Sequence, residues 1–406
     1  LKICMIATRH SLDDARVVHK ESISLLNAGH DVSLVLSCND RYEYKRPDGS
    51  LIAVGKSPNG ETYYKGLKIY GRPKKAGLRG KYLTYKDLSS IAAAKEADVY
   101  HAHEPDLALA IAIRAKNILS KRKKRALVVH DMHEFPPGGP TDKASFCLKF
   151  AVYLAHIAWN KLTMYFTDHV FTANTIVRGY ALLLNRKSNP DVLYNGPSIK
   201  HFFEPCLKSW PMKGEKLLLC HEGSLPYNRG LKEMVEAVNY LRKRVILRIV
   251  GDVYGEERAW LMKKIEDYKL QDVIQITGWL PYEKVSQAVS DCHVGLILFR
   301  DCINNRMAGP PNKLFNYMIS GLPILSVDFP EMRQIITEEE CGDLIHDQSA
   351  QSIIRSIEKL LTDPGELIRM SRNGQNAIRC RYSWEIIEKK LISAYTKMEM
   401  QITSRT

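Results

Sequence analysis

Apolar residues recur along this chain with two alternating periods. Near the start, "ICMIA" is an unbroken apolar run of strand length. It is followed by "DARVVHKESISLLNAG", apolar at helical spacing and stopped by Gly29, and then by the apolar run "HDVSLVLS". Strand, helix and strand within about thirty residues make a βαβ unit, which predicts parallel pairing with a right-handed crossover. Further strands are predicted at "DVYHAH", "ALVVHD" and "HVFTAN". Residues 41–80, rich in Gly, Pro, Lys and Tyr, predict loops or a short hairpin.

The alternation restarts after "IKHFFEPCLKSWPMKGEK", a stretch of mixed polarity with two prolines. Strands at "LLLCHEG", "ILRIVGD", "VIQITG", "VGLILF", "PILSVD" and "GDLIHD" enclose helices at "LKEMVEAVNYLRK", "EERAWLMKKIEDY", "YEKVSQAVSD" and "NKLFNYMIS". The expected fold class is therefore α/β, with two Rossmann-like domains of parallel sheet facing each other across a cleft. The expected boundaries are 1–200, a linker at 201–214, a second domain at 215–383, and a C-terminal helix at 384–406 packing back towards the first domain. Ligands of such sheets bind beyond the carboxyl ends of the strands.

Residues 144–166, "ASFCLKFAVYLAHIAWNKLTMYF", have the length of a membrane span. Lys149 and Lys161 argue against spanning, since each would cost about 2.5–3.5 kcal/mol at mid-membrane. A sheet-covering core helix is the first expectation, and a helix with one face on lipid the second. No signal peptide is visible, because "LKICMIAT" turns polar too soon for a secretory segment.

Composition narrows the picture. Nine cysteines occur without a C-x-x-C pair, which indicates neither a zinc knuckle nor a disulfide framework and favours a reducing cytoplasm. The net charge of +14 is concentrated in residues 1–200, which hold 31 Lys and Arg against 18 Asp and Glu. Such a half suits an anionic substrate or surface, or is simply a solvated basic face. Nucleic acid is disfavoured, because the basic runs belong to no recognised binding module.

Chemistry gathers at predicted strand ends. "HEGSLPYNRGLKEM" is a strand, a glycine-containing loop and a helix start, with Arg229 at the loop tip, an arrangement that favours anions. "GPPNKLFNYMISG" places Lys313 and Asn316 three apart, hence on one face of the first helical turn. Lys313 suits a phosphate, and Asn316 offers a donor and an acceptor to sugar hydroxyls. In the basic half, "HAHEPD" and "HDMHE" bring His101, His103, His130 and His133 to two strand ends. A metal there would lack the H-x-x-x-H helix or cysteine partners that usually accompany one, and none is expected.

These stretches, with "DARVVHKESISLLNAGHDVSLV", "NKLFNYMISGLPILSVDFPEMRQII" and "YSWEIIEKKLISAY", resemble the glycosyltransferases of family 4 over nearly the whole chain. The resemblance implies a GT-B architecture and a retaining, metal-independent transfer from a nucleotide-diphosphate sugar to a glycan or lipid-linked acceptor. The setting it implies is cell-surface polysaccharide biosynthesis, in the cytoplasm with peripheral contact to an anionic membrane. It assigns the donor diphosphate to Arg229, with Lys313, Asn316, Asn312, Gly223, Ser224, Gly278 and Trp279 around the nucleotide sugar. His133 would lie near the transferred sugar, oriented by Glu134 or Asp131, and His10, Arg16, His103 and Glu104 are acceptor-side candidates. Two departures stand out: the family's Glu-x7-Glu pair falls on Ala308 and Asn316, and its second phosphate-side basic residue on Ser224, for which Lys313 or Arg306 would substitute. A non-catalytic nucleotide-sugar-binding subunit and a sugar-nucleotide epimerase are the alternatives.

Overall fold

The computed structural model describes residues 1–46, 49–56, 61–104, 107–201, 209–211, 214–307 and 309–404, without the side chains of residues 142, 201, 282 and 283. The chain divides into two compact units, one made of Leu1–Tyr194 with Ile387–Thr406 and the other of Asn195–Ile386. The division thus lies between Tyr194 and Asn195; the expected linker at 201–214 falls largely outside the described residues.

In the first unit nine strands form one sheet. Their order is Gly55–Lys56, Thr62–Tyr64, Leu67–Pro73, Asp31–Cys38, Lys2–Ala7, Val99–His103, Leu127–Met132, His169–Thr172 and Asp191–Val192. All neighbours from Leu67–Pro73 onward pair in parallel, and the first two strands form an antiparallel edge. The central strands are buried on both faces, which is why they read as continuous apolar runs. Within residues 41–80, Thr62–Tyr64 and Leu67–Pro73 form the expected short hairpin, but Leu67–Pro73 also joins the sheet in parallel with Asp31–Cys38, and helix Gly77–Ala94 begins at the end of the stretch. Leu67 and Ile69 are buried and alternate with half-buried Lys68 and Tyr70, a period too short to stand out among the surrounding Gly, Pro and Lys.

Register builds the site. His101 pairs with Met5 and Val129 in the middle of its strand, and His103, the last residue of that strand, pairs directly with Asp131. Helix Leu107–Lys121 buries Ala108, Leu109, Ile111, Ala112, Ala115 and Leu119, the i, i+3, i+4 face that covers the sheet. The C-terminal helix Trp384–Thr403 buries Ile387, Leu391, Ala394, Tyr395 and Met398 at the same spacing.

Helix Lys149–Met164 departs from the core-helix expectation. Asn160, Thr163 and Met164 are its buried residues, while Phe150, Leu154, Trp159 and Leu162 are exposed.

The second unit holds a six-stranded, all-parallel sheet. Its order is Ile274–Ile276, Val245–Val250, Leu217–Glu222, Val294–Ile297, Ile324–Val327 and Gly342–Ile345. Helix Asn312–Ile319 buries every side chain from Lys313 to Met318, apolar and polar alike. Gly295 on a central strand admits this helix: a Cβ there would lie 2.3 Å from the Tyr317 ring. The Tyr317 hydroxyl in turn accepts the Glu222 backbone N–H at 2.8 Å and reaches the Cys220 carbonyl at 3.3 Å. Gly295→Ala should therefore overpack this contact and destabilise the unit by about 1–3 kcal/mol. Urea denaturation measures it, and an unchanged midpoint would show that Tyr317 is not held there.

Candidate functional site

Two clusters of polar side chains lie at strand carboxyl ends, one in each unit. In the first unit, Arg16 is buried among carboxylates. Its Nη2 donates to Asp131 Oδ1 at 2.7 Å, its Nε faces Asp131 Oδ2 at 3.0 Å and Glu21 Oε1 at 2.8 Å, and its Nη1 donates to the Leu193 carbonyl at 2.6 Å. One guanidinium between two buried carboxylates stabilises only one of them as an anion. Burial raises the pKa of Asp131, but Arg16 and then His133 outweigh it and hold Asp131 well below the usual carboxylate range. Glu21 goes the other way: burial first, then the Asp131 charge, lift it well above its ordinary value, and Arg16 only partly opposes them.

Ionised Asp131 is an acceptor only, which assigns the imidazole protons facing it. His133 Nε2 donates to Asp131 Oδ2 at 2.6 Å, and His103 Nδ1 shares that oxygen at 3.3 Å. This leaves the lone pair of His133 on Nδ1, 3.7 Å from Glu104 Oε1. Burial, only partly opposed by Asp131, lowers the His133 pKa, and it lowers that of His103 to about 4, so both rings are neutral near pH 7. His10 stands with its ring centre 4.8 Å from that of His133. Its Nδ1 contacts Asp14 Oδ2 at 3.0 Å, and its Nε2 is buried without a hydrogen-bond partner. The His133 Nδ1 lone pair suits a hydroxyl hydrogen.

Of the sequence candidates here, His10, Arg16, His103, Glu104, Asp131 and His133 come together. Glu134 is exposed, and Asp131 is the carboxylate that orients His133. Arg16 is buried and engaged, which makes it a positioning residue rather than a surface for an acceptor. Glu104 has φ +76°, a costly conformation for a side chain with a Cβ, and its N–H bonds the Asp131 carbonyl at 3.0 Å. Two ligand-atom groups have the spacing of a cation site: Glu21, His101, His103 and Asp131, and His10, Glu104 and His133. In the first, the Arg16 guanidinium already supplies the positive charge. Sequence reasoning missed Glu21, Asp14 and Tyr395, whose hydroxyl lies 2.7 Å from His101 Nδ1. Tyr395 is 294 positions from His101, and no local pattern marks it.

In the second unit, strand Leu217–Glu222 leads through Gly223 to the turn Tyr227–Arg229 and to helix Leu231–Tyr240. Gly230 (φ +82°) makes the bend, and a Cβ there would meet the Leu298 carbonyl oxygen at 2.4 Å. The Arg229 guanidinium lies 3.9 Å from the Phe299 ring centre, and Lys313 Nζ lies 5.6 Å from the same centre. Lys313 Nζ also contacts His221 Nε2 at 3.1 Å and sits 4.0 Å from the Cβ position of Gly223. Two basic side chains thus lie near one aromatic ring, one of them beside Gly223. Burial, with Arg229 adding to it, pushes the Lys313 ammonium down to about 7.

Beside this pair, Asn316 Nδ2 donates to Glu222 Oε1 at 2.7 Å, and Glu222 Oε2 has no hydrogen-bond partner. Burial raises the Glu222 pKa against the Asn316 bond and the Lys313 charge. Glu222 was missed, although it ends a predicted strand immediately before a glycine. Asn312 accepts from Asn195 Nδ2 at 2.7 Å. Gly278 (φ +72°) and Trp279 follow the edge strand Ile274–Ile276, two strands from Glu222. Ser224 is exposed, and Arg306 is exposed and paired with both Asp301 oxygens. Ala308 lies outside the described residues.

Residues 205–377 match the family model of group 1 glycosyl transferases. WcaL of Escherichia coli K12, named for a glycosyltransferase role in colanic acid biosynthesis, is 24% identical over 173 residues, 42% of this chain and 42% of WcaL. Among solved structures, sucrose-phosphate synthase of Thermosynechococcus elongatus superimposes with a TM-score of 0.73 at 14% identity, over 98% of this chain and 99% of that one. Anabaena Alr3699/HepE in complex with UDP gives 0.70 at 14% identity, over 98% and 100%. The shared fold is the two-domain GT-B architecture.

Arg16→Met should leave the buried Asp131 anion without its guanidinium partner and cost about 3–5 kcal/mol. Chemical denaturation reads that loss; a variant as stable as the parent would mean that the ion pair is not buried.

Proposed function

We propose that this protein is a retaining, metal-independent hexosyltransferase of glycosyltransferase family 4. It would move a sugar from a nucleotide-diphosphate sugar to a glycan or lipid-linked acceptor, in the cytoplasm, during cell-surface polysaccharide biosynthesis. The observation that carries this reading is the Arg229–Lys313 pair, two basic side chains near the Phe299 ring beside a strand end of the unit that matches the group 1 family. Cations so placed stabilise the charge that develops as a diphosphate departs. The UDP complex of HepE and the naming of WcaL support the donor class and the polysaccharide setting.

In the proposed step, the bond from the anomeric carbon to the diphosphate oxygen breaks and the acceptor oxygen bonds to that carbon on the same face. The acceptor's proton passes to the departing diphosphate. Arg229 and Lys313 bind the diphosphate. Glu222, steadied by Asn316, takes the ribose hydroxyls, supplying from the strand the carboxylate that position 316 lacks. On the N-terminal unit, neutral His133 accepts from a sugar hydroxyl at Nδ1 while Asp131 and Arg16 hold its ring.

Thermal-shift titration with UDP, GDP and ADP sugars, followed by assay of nucleoside diphosphate release, tests the reading. Arg229→Ala and Lys313→Ala should each weaken donor binding by about 10–100-fold, as loss of a charge-assisted hydrogen bond does. Binding without release across the panel would leave a binding protein and no transferase. The pH dependence has a definite sign. A diphosphate raises the Lys313 pKa from its free value of about 7. Donor affinity should therefore be highest below pH 7 and fall as pH rises past it, and Lys313→Met should flatten that slope. A slope that survives in Lys313→Met would assign it to another group.

A further inference from the structure

Helix Lys149–Met164 is turned inside out. Its buried residues include Asn160 and Thr163, while Phe150 (73% exposed), Leu154, Trp159 and Leu162 face outward. Phe146, in the preceding turn Phe146–Leu148, is 94% exposed, and Tyr165, just past the helix, 83%. Positions 150, 154, 158 and 162 follow one another at i+4, so they form one stripe. Single exposed apolar residues are ordinary, but a continuous stripe of this size marks a contact surface.

Charge says what covers it. Residues 143–167 contain Lys143, Lys149 and Lys161 but no Asp or Glu. The stripe leads into a groove of about 670 Å³ where Trp159, Leu162 and Phe166 meet Tyr85, Arg114 and Lys121. The Arg114 guanidinium lies 5.4 Å from the Tyr85 ring centre, and its Nε is buried without a hydrogen-bond partner. Apolar walls with unneutralised cations fit acyl chains beneath anionic headgroups. A second copy fits worse, because a two-fold contact would set these lysines against their own equivalents. No helix among the described residues is long and apolar enough to cross a membrane.

We propose that this stripe and its groove dock the N-terminal unit on an anionic phospholipid bilayer, with the helix lying along the surface and the lysines at the phosphates. The proposal rests on the exposed face alone, so a failure of the transferase reading leaves it standing.

The test is co-sedimentation of the full chain with phosphatidylcholine vesicles, with and without about 30% phosphatidylglycerol. Binding is expected only to the anionic vesicles, and it should weaken as salt rises from about 0.1 to about 0.5 M. The triple variant Phe150→Ser, Leu154→Ser, Leu162→Ser changes only exposed positions. It should bind roughly tenfold more weakly while keeping the parent's melting temperature. Replacing Lys143, Lys149 and Lys161 by Gln should remove the preference for anionic lipid. Equal sedimentation with neutral and anionic vesicles, or undiminished binding by the serine variant, would overturn the proposal. So would a dimer in sedimentation velocity that the serine variant dissolves, which would give this face to a second copy.

Discussion

Charge buried at the ends of parallel strands is the constraint on which both polar clusters rest. A carboxylate or ammonium withdrawn from water is tolerated only beside a partner, and otherwise it shifts its pKa until it is neutral. In the first unit, one guanidinium serves Asp131 and Glu21, and the competition leaves one ionised and the other not. From that follow the proton positions on His103 and His133, and hence which ring nitrogens are left to accept. In the second unit burial lowers the Lys313 ammonium, Arg229 adds to the repulsion and Glu222 only partly opposes them, so the group is poised near neutrality. The first arrangement is complete within the protein; the second gathers two basic side chains near one ring.

The same logic explains the exchange of roles between Glu222 and Asn316. A carboxylate on the helix and another on the strand end, 2.7 Å apart, would repel. An amide on the helix instead donates to the strand's carboxylate and leaves its second oxygen buried without a hydrogen-bond partner. The amide at position 316 is thus the partner of a strand-end carboxylate.

The outward-facing helix shows the reverse of burial. Its amide and hydroxyl groups find backbone partners inside, with Asn160 Nδ2 donating to the His156 carbonyl at 2.7 Å and Thr163 Oγ1 to the Asn160 carbonyl at 3.1 Å. These local bonds let a polar face pack inward, which frees the apolar face for the outside. Hydropathy alone, blind to direction, could not separate the two orientations.

Periodicity by itself determined the two βα series, because apolar runs between helical stretches have few other ways to bury their surface. Position at a strand end also marked His103, Asp131, His133 and Arg229 as candidate site residues, since parallel strands deliver their ends to one edge. Tertiary structure alone decided which of them touch. Strand register set His103 against Asp131, and Arg16 reached Asp131 across 115 positions. Tyr395 came back to His101 on the last helix, and Glu222 met Asn316 only when Gly295 let the helix close on the sheet. Local spacing carries the direction of each side chain along its own element, whereas contact between elements depends on packing distances that no single stretch contains.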